Sequence, residues 1–185
     1  AYQGIVEHAK LKKGETVLIL GGSSSVGMFA VQFAHALGAR VVATTSSRNA
    51  EFVKSLGADQ TIDYTTEKWV DVLDEHSVDA IFDCGMEASA WNDGAQLKLK
   101  KETGRFVTIQ PVQTPAKESQ FGAQLIGFFQ VYPSAELLDV ITKQIESGDV
   151  VPVVDTVYPF ESALDAFEKL RGGHTRGKLV VHVQQ

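Results

Sequence analysis

The chain has 185 residues, 44% hydrophobic and 22% charged, the balance of one folded domain rather than of a disordered or fibrous chain. Seventeen Lys and Arg against 23 Asp and Glu leave a formal charge of -6, so the basic footprint of a nucleic-acid binder is missing. The single cysteine, Cys84, can neither close an internal disulfide nor build a zinc site alone, which points to a reducing compartment and away from a structural metal.

Along the chain, strand-like and helix-like runs alternate. Thr16–Leu20 is apolar and β-branched and ends at Gly21 and Gly22. Residues 26–37 then carry apolar positions at helical spacing and stop at Gly38. Arg40–Thr45 is the next strand, and residues 47–56 form a helix closed by Gly57. Residues 61–63 (strand), 69–75 (short helix) and 78–84 (a strand apolar enough for burial on both faces) repeat the unit. A helix over 88–99 and a strand over 105–109 follow, then a loop over 111–119 and a further strand over 125–131. Ala135–Glu146 is an amphipathic helix with Leu138, Ile141 and Ile145 on one stripe. Residues 155–158 are extended, Ser162 caps a helix to Leu170, and 178–183 form a closing strand. No apolar run approaches the roughly 18 residues that span a bilayer, and Ala1 opens the chain without a secretory leader. A soluble, cytoplasmic protein without membrane contact is therefore expected.

Strands alternating with helices imply parallel pairing through right-handed crossovers, with helices on both faces. The fold expected is a doubly wound, mostly parallel α/β sheet of the Rossmann type. In such sheets the first strand-to-helix turn supplies a phosphate site at the topological switch point. Here that turn reads Gly21, Gly22, Ser23, Ser24, Ser25, Val26, Gly27. Main-chain amides at the start of the helix can hold a pyrophosphate without a charged side chain. Gly22 and its neighbours allow the tight turn, and Gly27 lets helix and strand pack closely. Ser24 stands where a dinucleotide fingerprint has its middle glycine, adding a Cβ but also a hydroxyl donor.

Rival motifs fail on particular residues. A P-loop needs Lys after the last glycine, and Met28 is there. The GxxxxGK match from Gly172 to Lys178 precedes a strand, so no helix N-terminus follows it. Tyr64 and Lys68 have the spacing of a short-chain dehydrogenase pair but come too soon after the glycine turn. The serine cluster lacks the flanking glycine of a nucleophile elbow, because Ser23 occupies that place. His35, His76, His174 and His182 show no ligand spacing among themselves.

The end of the second strand selects the dinucleotide. An NAD site places Asp or Glu there for the ribose hydroxyls; this chain has Thr44, Thr45, Ser46, Ser47 and Arg48. Hydroxyl donors and a guanidinium suit a phosphate dianion, which makes NADPH the expected cofactor. Cys84 and Gln110, just past the fourth and fifth strands, are placed to line the same cleft. Cys84 reads more readily as a small buried hydrophobe than as a nucleophile.

The glycine turn, Leu56-Gly57-Ala58-Asp59 leading to Ile62-Asp63-Tyr64, the strand end Phe82-Asp83-Cys84, and the tail Gly177-Lys178-Leu179-Val180-Val181 together resemble the medium-chain dehydrogenase/reductase superfamily. The match looks closest to its zinc-independent quinone oxidoreductase branch and covers nearly the whole chain. The resemblance implies that Tyr64 and Ser46 sit at the NADPH 2'-phosphate, with Arg48 standing in for a lysine that Asn49 replaces. It further implies a separate N-terminal catalytic domain of GroES-like fold, absent from this chain, and a quinone or enone substrate in the cleft between the two halves. By that reading the chain is a cofactor domain that binds NADPH with little turnover. Its uncharged segment 125–131, from Leu125 to Val131, is expected near the nicotinamide and as a homodimer edge. The rival from another class is a non-catalytic Rossmann module that senses a nucleotide or mediates association. A methyltransferase ranks third, because its ribose-binding acid after the second strand is also lacking.

Overall fold

The structure is a computed structural model that describes residues 1–173 and 175–183. Six parallel strands, β1 (Thr16–Leu20), β2 (Arg40–Thr45), β3 (Gln60–Asp63), β4 (Ala80–Asp83), β5 (Arg105–Thr108) and β6 (Gln124–Phe128), form the main sheet in the order β3-β2-β1-β4-β5-β6. The order reverses between β1 and β4, which puts the switch point at the carboxyl ends of those two strands.

Burial on both faces follows directly from the sequence of β1. Val17 and Ile19 point to one side and Leu18 and Leu20 to the other, and all four are fully buried. Val17 and Ile19 join Val31, Phe33, Val41, Val53 and Phe82 beneath α1 (Gly27–Ala36) and α2 (Ala50–Ser55). Leu18 and Leu20 join Ile62, Ile81, Trp91, Leu99 and Phe106 on the opposite face. Trp69, on the single turn α3 (Trp69–Val72), closes that second core. The expected doubly wound α/β architecture is present.

Several elements differ from the sequence expectation. A short π-type helix over Gln3–His8 precedes β1, a region the periodicity left unassigned. The helix expected over 88–99 is a π-type turn, Trp91–Ala95, followed by α4 (Gln96–Lys98), because Gly94 has non-helical dihedrals. The segment at 69–75 stops at Val72, and Leu73 is extended. The largest correction concerns the closing strand. β7 (Val154–Pro159) and β8 (Lys178–His182) do not join the main sheet; they pair with each other in parallel as a two-stranded unit, connected by α6 (Ala163–Arg171). Ser162 stands at the first position before α6 but makes no capping bond. Ser134 does cap α5 (Ala135–Glu146), accepting from the Leu137 amide.

The small β7–β8 unit is tied to α1 by a polar contact. Gln32, only 4% exposed on α1, accepts from the Val151 amide at 2.7 Å and donates to the Val151 carbonyl at 3.2 Å. At the other edge, β6 is the last strand, with Phe128 half exposed and Val131 largely so. The strand ends at Phe128, so only the first part of segment 125–131 is sheet.

Candidate functional site

The glycine turn lies where β1 meets α1, at the switch point. Gly21 has a φ of +84°, a left-handed conformation that glycine adopts without penalty. Its amide donates to the Thr44 hydroxyl at 2.9 Å, and the Gly22 amide donates to the Thr44 carbonyl at 2.8 Å. One threonine of β2 thus fixes the turn from the side. A Cβ on Gly27 would stand 2.0 Å from the Gly21 carbonyl oxygen, so the helix can start this close to its strand only with glycine there.

The amides of Ser23, Ser25 and Val26 make no hydrogen bond to the described residues. The three serines and Val26 are partly exposed. Solvent-accessible N–H groups at a helix start attract an anion through unmet hydrogen-bonding capacity and the helix dipole. The residues present therefore fit a pyrophosphate. Two serine hydroxyls have been given other tasks. Ser24 Oγ accepts from the Gly27 amide at 2.9 Å, capping α1 and withdrawing that amide from any ligand. Ser25 Oγ donates to the Gly177 carbonyl at 2.9 Å and clips the distant tail onto the turn. Met86 lies across Gly21 from the loop after β4.

At the end of β2, Thr45 is buried with its hydroxyl unpartnered, Ser46 is partly exposed, and Arg48 and Tyr64 are exposed. The expectation that no acid stands here holds along the chain but not in space. Parallel pairing aligns Thr45 with Asp63 of β3. The Asp63 carboxylate accepts from the Ser47 amide at 3.0 Å and from the amide and hydroxyl of Thr65. Those bonds, the Thr65 hydroxyl foremost, hold its carboxyl below the usual range. A cation that the sequence reading did not single out also reaches this loop. Arg176, in the segment before β8, donates through Nε to Asn49 Oδ1 at 2.6 Å and through Nη2 to the Arg48 carbonyl at 3.1 Å.

The ends of β4 and β5 are joined by a buried polar chain. Asp83, 1% exposed, accepts from the Met86 amide at 2.8 Å and from the Thr108 hydroxyl at 3.2 Å. Thr108 Oγ1 in turn accepts from the Gln110 amide at 3.2 Å. Asp83 thereby sets the course of the loop that carries Met86 over the glycine turn, and Gln110 is held beside it. Cys84 is buried, and desolvation pushes its thiol far up from the ordinary value, with the Asp83 charge adding to this and the Ser24 hydroxyl opposing it. It behaves as a packed hydrophobe, as its sequence context implies. His76 Nδ1 contacts the Leu99 carbonyl at 2.8 Å; His174 lies outside the described residues.

Gly22, Ser24, Ser25, Val26 and Gly27 lie on the turn after β1, Cys84 is buried just past β4, Gln110 follows β5, and Thr45, Ser46, Arg48 and Tyr64 lie at the ends of β2 and β3. Ser25 and Val26 line one cavity with Tyr2 and Phe29, and Tyr64 lines another with Trp69 and Glu87. Sequence reasoning offered the Thr44 hydroxyl to a phosphate, whereas it is buried and accepts from the Gly21 amide; it missed this turn-fixing role, Asp83 as an organiser, and Arg176. A threonine immediately after three buried β2 residues was a signal for the first. Nothing local marked Arg176, which is 127 residues from its partner Asn49.

A parallel sheet of order 3-2-1-4-5-6 with a glycine turn at the reversal defines a Rossmann-type α/β domain. The chain belongs to the zinc-binding dehydrogenase family, whose model matches residues 56–181, within the quinone oxidoreductase-like branch of the medium-chain dehydrogenase/reductase superfamily. It is 37% identical over 98% of its length to a 2-methylene-furan-3-one reductase of Solanum lycopersicum, covering 44% of that protein. It is also 37% identical, over 98% of its length and 44% of the other, to an Arabidopsis thaliana chloroplastic NADPH-dependent alkenal/one oxidoreductase. The solved quinone oxidoreductase of Coxiella burnetii superposes with a TM-score of 0.78 at 30% identity, over 97% of this chain and 56% of that one. The chain thus spans about half the length of the relatives it matches. Among the described residues no helix is long and apolar enough to cross a membrane, and no three His, Cys, Asp or Glu side chains are grouped to hold a metal.

Proposed function

We propose that this chain is the NADPH-binding domain of an oxidoreductase that passes hydride to a quinone or to the double bond of an enone. The observation that carries the reading is the set of uncommitted amides at Ser23, Ser25 and Val26, at the switch point of the sheet. A reduced nicotinamide supplies the hydride, and the protein contributes binding, orientation and exclusion of water. The amides of the turn would hold the pyrophosphate, and Ser46, Arg48 and Tyr64 would receive the adenosine 2'-phosphate. Gln110 would line the crevice toward the nicotinamide. The relatives named for NADPH-dependent alkenal/one and furanone reduction support this choice of cofactor and substrate class.

The β7–β8 unit supports the reading of a missing partner half. Leu164, Phe167 and Leu170 of α6, with Val157 and Phe160 beside them, are all exposed. A catalytic domain packed on this face would bury them and complete the substrate pocket, and zinc-independent chemistry is part of the same proposal. The open β6 edge, with exposed Phe128 and Val131, suits a homodimer contact. A cytoplasmic location is proposed on composition alone; relatives are named as chloroplastic and as mitochondrial.

Titration of the protein fluorescence with NADPH and NADH tests the reading. Saturable binding with NADPH clearly tighter is expected, together with quinone reduction by the full-length parent and little by this chain. Equal binding of both cofactors, or of neither, overturns it. The rival reading, a nucleotide-sensing module, would instead show partner binding modulated by NADPH and no reductase activity in any form.

A further inference from the structure

We propose that Arg176 is a specificity-determining residue for the adenosine end of the cofactor, delivering a guanidinium to the 2'-phosphate from outside the main sheet. The inference rests on the NADPH reading and extends it. The β2 end holds Arg48 as its own cation, with Asn49 next to it, and an acid, Asp63, has been brought against the loop by β3. One exposed guanidinium on a loop that also binds a carboxylate is a poor anion site. Arg176 brings a second guanidinium to that loop.

Its placement is determined at three points. The backbone amide donates to Asp155 Oδ2 at 2.8 Å, and Asp155 is itself held by Lys169 and by the Thr156 hydroxyl. Nε donates to Asn49 Oδ1, and Asn49 is only 7% exposed, so the anchor cannot swing away. Nη2 donates to the Arg48 carbonyl, and the guanidinium lies 6.0 Å from the centroid of the Phe52 ring.

A guanidinium has five N–H donors in a rigid fork. Two are used here, and the Nη1 pair and one Nη2 proton have no acceptor among the described residues. The side chain is exposed, so these donors face solvent two and three residues past Ser46. A planar fork held by one edge, with the other free, is the geometry in which arginine takes a phosphate oxygen pair. Asn49, in the place where the sequence offers no lysine, becomes the bracket that positions a cation from elsewhere in the chain.

The test uses the whole chain and two probes, 2',5'-ADP and 5'-ADP, measured by isothermal titration calorimetry. Wild type is expected to prefer 2',5'-ADP. Arg176→Gln should lose about tenfold or more in affinity for 2',5'-ADP while 5'-ADP changes less than about twofold. Arg176→Lys keeps the charge without the fork and should fall between the two. It also serves as the second variant if Arg176→Gln unfolds early. A merely structural tie would weaken both probes in parallel, and that result overturns the proposal. If wild type prefers 2',5'-ADP and both variants keep the preference, the role of Arg176 fails while the NADPH reading stands. If wild type binds the two probes alike, the NADPH reading fails and takes the proposal with it.

Discussion

Gly27 shows how a backbone demand becomes a functional one. With the Gly21 carbonyl 2.0 Å from any added Cβ, even Gly27→Ala must push α1 away from β1. We expect it to cost about 1–3 kcal/mol in urea unfolding, the range for overpacking a tight site, and to lower NADPH affinity; an unchanged midpoint would contradict the packing. Cys84 makes a chemical prediction. Burial disfavours its thiolate, and the thiolate is the reactive form. Iodoacetamide at pH 8 should modify it slowly in the folded protein and quickly in urea, and fast labelling of the native state would refute the buried placement. Asp155 supplies a pH dependence. The hydrogen bond from Lys169, reinforced by Thr156 and the Arg176 amide, lowers its carboxyl to about 2, so the folded form binds its proton later than the unfolded one as pH falls. The stabilisation is intact above the ordinary Asp range and drains away as pH falls through that range toward about 2. Melting temperatures of wild type and Asp155→Asn should differ at pH 6 and converge near pH 2.

α1 has two unlike tasks, and the sequence revealed only one. Its apolar positions, Ala30, Val31, Phe33 and Ala34, are read from helical spacing, and all are buried. Gln32 interrupts that pattern with a polar side chain that is also buried, which makes sense once its two bonds to Val151 are seen. Gln32→Ala leaves both Val151 groups without their partner. We expect a loss of about 1–3 kcal/mol and faster amide exchange around residues 150–153. Unaltered exchange there would mean that the β7–β8 unit is held by something else. The turn after β1 divides its work in the same manner. Side chains cap and clip, through Ser24 and Ser25, while amides are left free.

Across the molecule, two cores of different exposure coexist. The six-stranded sheet is covered on both faces, whereas α6 buries only Ala166 and leaves its apolar stripe outward. Substitution of exposed apolar residues changes folding stability little, within about 0.5 kcal/mol. Leu164→Gln with Phe167→Gln should therefore leave the urea unfolding midpoint in place. A large loss of stability would show that the stripe is internal to this chain's own fold. Ligand linkage offers a global check on the site. NADPH at a hundred times its dissociation constant should stabilise the folded chain by about 2.7 kcal/mol, visible as a raised melting temperature, with NADH giving less at the same concentration.

Residues adjacent in the chain determined much of this protein. β1, β2 and α5 appear at their expected bounds, because strand and helix periodicities, glycine stops and apolar runs act through neighbouring residues and their local sterics. The parallel winding and the glycine turn followed from the same information. Tertiary structure alone decided which polar groups are spent on the protein and which are left over. It set Asp63 beside Ser47, turned Thr44 toward Gly21, separated β7 and β8 from the main sheet and brought Arg176 to Asn49. A hydrogen-bond partner is selected by position in space after the chain has packed, and no local pattern carries that choice.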